Sequence, residues 1–131
     1  MIKKLHLVLV FIFLAGTLAA CDSGPRTVKL DEKSNGQTVE MKVGEILQVG
    51  LTSDPINGYV WMVERINPAY LEFSGKDQYT PVGQDEVAGG TQVMSFKALK
   101  PGTTTLGLTY QKTAGGGVSL PKEFQVTVDI K

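Results

Sequence analysis

The sequence predicts an all-β protein. Three observations carry that reading. Apolar residues recur with period two through most of the chain, as in a strand with one dry face and one wet face. Turn-forming pairs interrupt the runs at short intervals: Asn35-Gly36, Val43-Gly44, Asn57-Gly58, Ser74-Gly75, Gly89-Gly90, Pro101-Gly102 and then Gly115-Gly116-Gly117. No stretch of ten or more residues carries a helical stripe. About seven or eight short strands, with one tryptophan on a central strand, point to an immunoglobulin-like antiparallel β-sandwich. A small closed barrel is the second choice.

The first 20 residues read differently. Lys3 and Lys4 give a positive start, Leu5 to Leu14 is apolar apart from His6, and small residues lead to Leu18-Ala19-Ala20-Cys21. This is the layout of a secretory signal peptide over 1–20. Leu5 to Ala20 is 16 residues, about 24 Å as helix against a hydrocarbon core of roughly 30 Å, which is short for a stable span. The Leu-Ala-Ala-Cys ending resembles the bacterial lipobox, which implies that Cys21 is lipidated and becomes the first residue. Cleavage near Ala20 that leaves a free thiol is the plainer alternative. Residues 21–27 then form the lipidated cysteine and a short tether, and 28–131 the domain. Asp22 resembles an inner-membrane retention signal. The expected location is the bacterial cell envelope, lipid-anchored outside the cytoplasm, and on the periplasm-facing inner membrane if Asp22 acts as that signal. Extended, Asp22 to Arg26 reaches only about 17 Å, so the domain sits close to the membrane.

In chain order, Val39, Met41 and Val43 alternate with Glu40 and Lys42, and Leu47, Val49 and Leu51 with Gln48 and Gly50. Tyr59 to Val63 is apolar on both faces, as expected of a central strand. Met94, Phe96 and Ala98 alternate with Ser95 and Lys97, and Leu106, Leu108 and Tyr110 with Gly107 and Thr109. Lys122 to Ile130 is the clearest run, with Phe124, Val126, Val128 and Ile130 on one face.

Composition excludes many activities. The chain has 13 basic and 13 acidic residues, one histidine and one cysteine. Without Lys3, Lys4 and His6 the remainder has 11 basic and 13 acidic residues, net −2, and no histidine. A Ser-His-Asp or Cys-His nucleophile is then impossible. A lone cysteine gives no zinc finger, iron–sulfur site or disulfide framework. The charge balance lacks the basic footprint of a nucleic-acid binder. Ala114 to Gly117 is no phosphate loop, since no Gly-Lys-Ser/Thr follows. Asp85-Glu86 lacks a ligand-spaced loop for a cation. The scattered carboxylates form no recognisable glycosidase pair. No enzyme, metal or cofactor is expected, and monomer is the default state.

Three loops carry a resemblance. Asp54-Pro55-Ile56-Asn57-Gly58-Tyr59-Val60-Trp61 resembles the Asn-Pro-Thr-Thr-Gly-aromatic-x-Trp segment of the chagasin family, which are inhibitors of papain-like cysteine proteases. Ala88-Gly89-Gly90-Thr91 is similar to the family's second loop, and Leu108-Thr109-Tyr110 to the strand entering the third. The resemblance runs from about Val28 to Ile130. It implies an immunoglobulin-like sandwich that blocks a papain-like protease reversibly, with three loops in the cleft. The contact residues would be Pro55, Ile56, Asn57, Gly58 and Tyr59, then Gly89, Gly90 and Thr91, then Lys112, Thr113 and Ala114. Three departures stand out: Asp54 replaces Asn, Ile56-Asn57 replaces Thr-Thr, and Lys112-Thr113-Ala114 replaces Arg-Pro-Trp. Losing an interface tryptophan costs on the order of 2 kcal/mol, or about thirtyfold in affinity.

The residues also make sense by themselves. Pro55 sets a bend and Gly58 permits torsions closed to other residues, so the tip is narrow and stiff. Gly89 and Gly90 let a second backbone approach closely. The alternative is that all three are ordinary sandwich turns, with Asn57-Gly58 a hairpin pair. Trp61 is read as core, packing beneath the first loop. The competing function is a non-inhibitory interaction module that docks another envelope protein.

Overall fold

Most residues that alternation turns inward are buried; Val43 is the exception, 46% exposed in the turn after Met41, and Val39 and Tyr110 are half-buried. Met41, Leu47, Val49, Leu51, Met94, Phe96, Ala98, Leu106, Leu108, Phe124, Val126, Val128 and Ile130 join Trp61 and Leu71 in one core. The computed structural model describes residues 24–83, 89–113 and 122–131. The expected signal segment 1–20, Cys21 and Asp22 lie outside them.

The strands are β1 (Thr27–Leu30), β2 (Thr38–Met41), β3 (Ile46–Ser53), β4 (Tyr59–Arg65), β5 (Leu71–Phe73), β6 (Gln78–Pro81), β7 (Gly90–Ala98), β8 (Gly102–Lys112) and β9 (Lys122–Ile130). One sheet has the order β1-β3-β7-β5, with β6 also on β7; the other is β2-β9-β8-β4. β5 and β6 share one edge of β7, since Leu71–Phe73 pair with residues 96–98 and Gln78–Pro81 with residues 90–93. The core fills the space between the two sheets. The molecule is therefore a β-sandwich and not a closed barrel.

Three details differ from the sequence reading. Nine strands occupy the described residues; β1, β5 and β6 have four, three and four residues, too few to show an alternation. The sheets are mixed, because β1 runs parallel to β3 and β2 parallel to β9. The tryptophan strand is not central. β4 lies at the edge of its sheet, with Trp61 buried and Met62 47% exposed. Its apolar run reflects what lies at one end of the sandwich rather than cover on both faces.

Candidate functional site

Strand register brings three connections to one pole. Ser53, the last residue of β3, pairs with Gly90, the first of β7, and Gly90 also pairs with Pro81 at the end of β6. Tyr59, the first residue of β4, pairs with Lys112, the last of β8. Segments 54–58 and 82–89, and the connection that starts at Thr113, consequently leave the sandwich from the same end.

The first connection is a short 3-10 turn, Pro55–Asn57. Asp54 caps it: Oδ1 accepts the Asn57 N–H at 3.4 Å and Oδ2 accepts Asn57 Nδ2 at 2.7 Å. Proline is suited to a first turn, where its missing N–H costs nothing. Asp54 and Tyr59 exchange both main-chain hydrogen bonds, at 3.2 and 2.9 Å. Between them Gly58 adopts φ 82° and donates its N–H to the Pro55 carbonyl at 3.0 Å. Asn57-Gly58 is thus the end of a turn that crosses from one sheet to the other, not a two-residue hairpin. At its apex Ile56 is 50% exposed.

The second connection is held by its glycines. A Cβ on Gly90 would collide with the Thr80 carbonyl and lie 2.8 Å from Pro81 Cα. The Gly89 carbonyl accepts the Val82 N–H at 3.0 Å. Both glycines are buried and Thr91 is half-buried. The close backbone approach that they permit is therefore made with this chain's own β6. Exposure passes to Val82, 63% accessible, a residue that the sequence reading did not nominate. Ala88 lies outside the described residues.

The third connection is pinned to the first. Thr113 donates to the Gly58 carbonyl twice, from its N–H at 2.6 Å and from its hydroxyl at 3.1 Å. Lys112 Nζ lies 5.5 Å from the Tyr59 ring centroid. Tyr59 stacks on Tyr110 at 5.6 Å, and Tyr110 meets Trp61 at 5.1 Å. Burial pushes the Tyr110 phenol above its ordinary value of 10.0, helped by the nearby Asp54 carboxylate and opposed by a hydrogen bond from the Asp54 backbone. Ala114 and the glycines that follow lie outside the described residues.

Beneath the first two sits Gln92. Its Oε1 accepts the Trp61 N–H at 2.8 Å, and its Nε2 donates to the Trp61 carbonyl at 2.9 Å and to Asp77 Oδ2 at 2.7 Å. The Ser53 hydroxyl is within reach of Gln92 Oε1 (3.1 Å) and the Tyr59 carbonyl (3.0 Å). Every hydrogen-bonding group of this buried amide has a partner. A signal was present: the inward set Met94, Phe96, Ala98, extended two residues back, lands on a glutamine where an apolar residue belongs. Among the described residues, no group of three or more His, Cys, Asp or Glu is placed to hold a metal.

Among the described residues, this end of the molecule presents a capped turn with Ile56 exposed at its apex and Val82 exposed after β6. The family model for the chagasin family of peptidase inhibitors (I42) matches residues 40–128. The chain belongs to the chagasin family. Chagasin from Trypanosoma cruzi is 30% identical over 102 residues, 75% of this chain and 93% of that protein. The crystal structure of the cysteine protease inhibitor EhICP2 from Entamoeba histolytica aligns with a TM-score of 0.67 at 24% identity, over 81% of this chain and 96% of that one, which shows the shared fold. Leishmania mexicana ICP aligns at 0.54 with 25% identity, over 74% and 90% of the two chains. The family so matched is one of peptidase inhibitors, not of enzymes.

Proposed function

We propose that this chain is a reversible inhibitor of papain-like cysteine proteases. Its loops 54–58 and 82–91, with Lys112, Thr113 and Ala114, block the active-site cleft without a covalent step. One observation carries the reading: the loop bases are joined by Gln92 to Trp61 and by Thr113 to Gly58, so these bases are held in place before any partner arrives. Such preorganisation lowers the entropic cost of binding. Ile56 and Asn57, at the apex of the first loop, lie nearest the protease thiol and present no scissile carbonyl. Val82 adds apolar surface beside them. Lys112, whose ammonium lies over the Tyr59 ring, retains a cation where the family's third loop has arginine.

Cys21 carries lipid after removal of 1–20, which holds the inhibitor on the outer side of a bacterial membrane. Cys21→Ser then releases the chain from the membrane fraction; persistent partition after processing removes the anchor.

A titration of Asp22–Lys131 against papain and a cathepsin L-type enzyme, with a fluorogenic substrate, tests the inhibitor reading. Competitive inhibition at nanomolar concentration is the expected result. A folded chain that leaves both enzymes untouched up to about 10 μM overturns it in favour of an envelope docking module.

A further inference from the structure

The pole opposite the loops has its own chemistry. The described chain enters there: the Arg26 carbonyl accepts the Ile46 N–H at 3.0 Å. The turns 42–45 and 99–101 lie beside it, joined by a hydrogen bond from the Gly44 N–H to the Ala98 carbonyl at 2.9 Å. Val43 donates its N–H to the Lys131 carbonyl at 3.2 Å, which brings the last residue into the same group. Each turn presents one large apolar side chain to solvent, Val43 at 46% and Leu99 at 37% exposure. Around them Arg26, Lys42, Lys100 and Lys131 are all exposed.

Glu40, Glu45 and Asp129 are the carboxylates of this pole, Asp129 lying opposite Glu40 in register. Glu40 holds Lys131 Nζ at 3.2 Å. Glu45 is buried and accepts the Lys42 N–H at 2.9 Å. Lys100 Nζ sits 4.6 Å above the Tyr70 ring, at the rim of the turn. A shallow cavity of about 260 Å³ opens between Arg26, Lys42 and Lys131, with Glu40, Met41 and Glu45 completing its wall.

We infer that this pole rests on an anionic phospholipid surface, with Arg26, Lys42 and Lys100 against headgroup phosphates and Val43 and Leu99 at the acyl boundary. Two exposed apolar side chains ringed by cations are what a face lying in a bilayer interface requires. Residues 22–131 carry net −2, so the attraction rests on the local grouping of Arg26, Lys42 and Lys100 around Val43 and Leu99 and not on overall charge. The chain's route points the same way: Arg26 is five residues from Cys21, within about 17 Å of an anchor there. β8 has 11 residues and spans roughly 35 Å, so docking directs the loops away from the bilayer and toward soluble proteases. The orientation rests on the lipid anchor proposed above; the docking itself does not.

The test uses Asp22–Lys131, which contains every strand and core residue and has neither cysteine nor lipid. Its co-sedimentation is measured with vesicles of phosphatidylglycerol and of phosphatidylcholine, at low and high salt. Preferential, salt-sensitive binding to phosphatidylglycerol is expected. The Lys42→Glu/Lys100→Glu variant loses it by on the order of tenfold or more. Lys33→Glu/Lys76→Glu, with the same net charge but lying elsewhere, retains it. Equal binding to both lipids overturns the proposal, as does equal loss in the two variants or binding that survives Lys42→Glu/Lys100→Glu. Papain inhibition, read on the same samples, reports separately on the loops.

Discussion

Gln92 and Trp61, 31 residues apart, are joined through one side-chain amide that satisfies both main-chain groups of the tryptophan. Because β4 is an edge strand, those groups face away from β8 and would otherwise be open to water or to another chain. The glutamine stands in for a neighbouring strand and ties β4 to β7. Those are the strands that follow the first and second loops.

Gln92→Leu should therefore act on stability and on inhibition together. It strands the Trp61 N–H and carbonyl and removes a partner from Asp77 and Ser53, a loss of about 3 kcal/mol. Urea denaturation measures it, and a midpoint equal to the parent's would show that the amide does not hold the sheets together.

Gly58→Val separates the two properties. The φ of 82° is hostile to a β-branched residue and costs about 1–3 kcal/mol. The sandwich core does not involve this position, so the domain should fold while its first loop shifts. Inhibition of papain should weaken at least about tenfold. An unchanged inhibition constant for the folded variant removes that loop from the mechanism.

Ile56→Ala and Val82→Ala probe the apolar tips. Both side chains are half exposed or more, so thermal stability should move by less than about 0.5 kcal/mol. Each substitution should raise the inhibition constant about tenfold by removing buried contact area. Effects confined to stability would place the contact elsewhere.

Stability should fall at both ends of the pH scale, for different reasons. The Thr52 hydroxyl and N–H, the latter 2.6 Å from Glu32 Oε1, hold the Glu32 carboxyl below its ordinary value of 4.5. The unfolded chain then takes up a proton first on acidification. The contribution of Glu32 is full above pH 4.5 and is lost as pH falls through the folded-state value. Tyr110 is raised, so its contribution is full below pH 10.0 and is lost as pH rises through the folded-state value. Urea midpoints measured across pH for Glu32→Gln and Tyr110→Phe should lose the acid and alkaline slopes respectively; retained slopes would assign them to other groups.

Much of this was legible in advance. The run at Lys122 to Ile130 coincides with β9. Each turn pair within the described residues carries a glycine at positive φ. The motif 54–61 and the Gly89-Gly90 pair lie at the same end of the sandwich. Val82 is not legible in the sequence because a lone valine before a glycine has no periodic neighbours, and Gln92 shows there only as one polar residue at an inward position. Trp61 was put on a central strand because an apolar run does not distinguish cover by a second sheet from packing around a tyrosine stack.

The sequence by itself determined the strand class, the positions of the turns, the inward residues of each long strand and the family. All of these depend on side-chain patterns within a few residues of one another. Only the tertiary structure decided which strand lies at an edge, that Thr113 reaches Gly58 from 55 residues away, and that the loops and the basic turns lie at opposite poles. Those relationships depend on which strands pair and in what register. Pairing is set by burial summed over both sheets, which no local pattern contains.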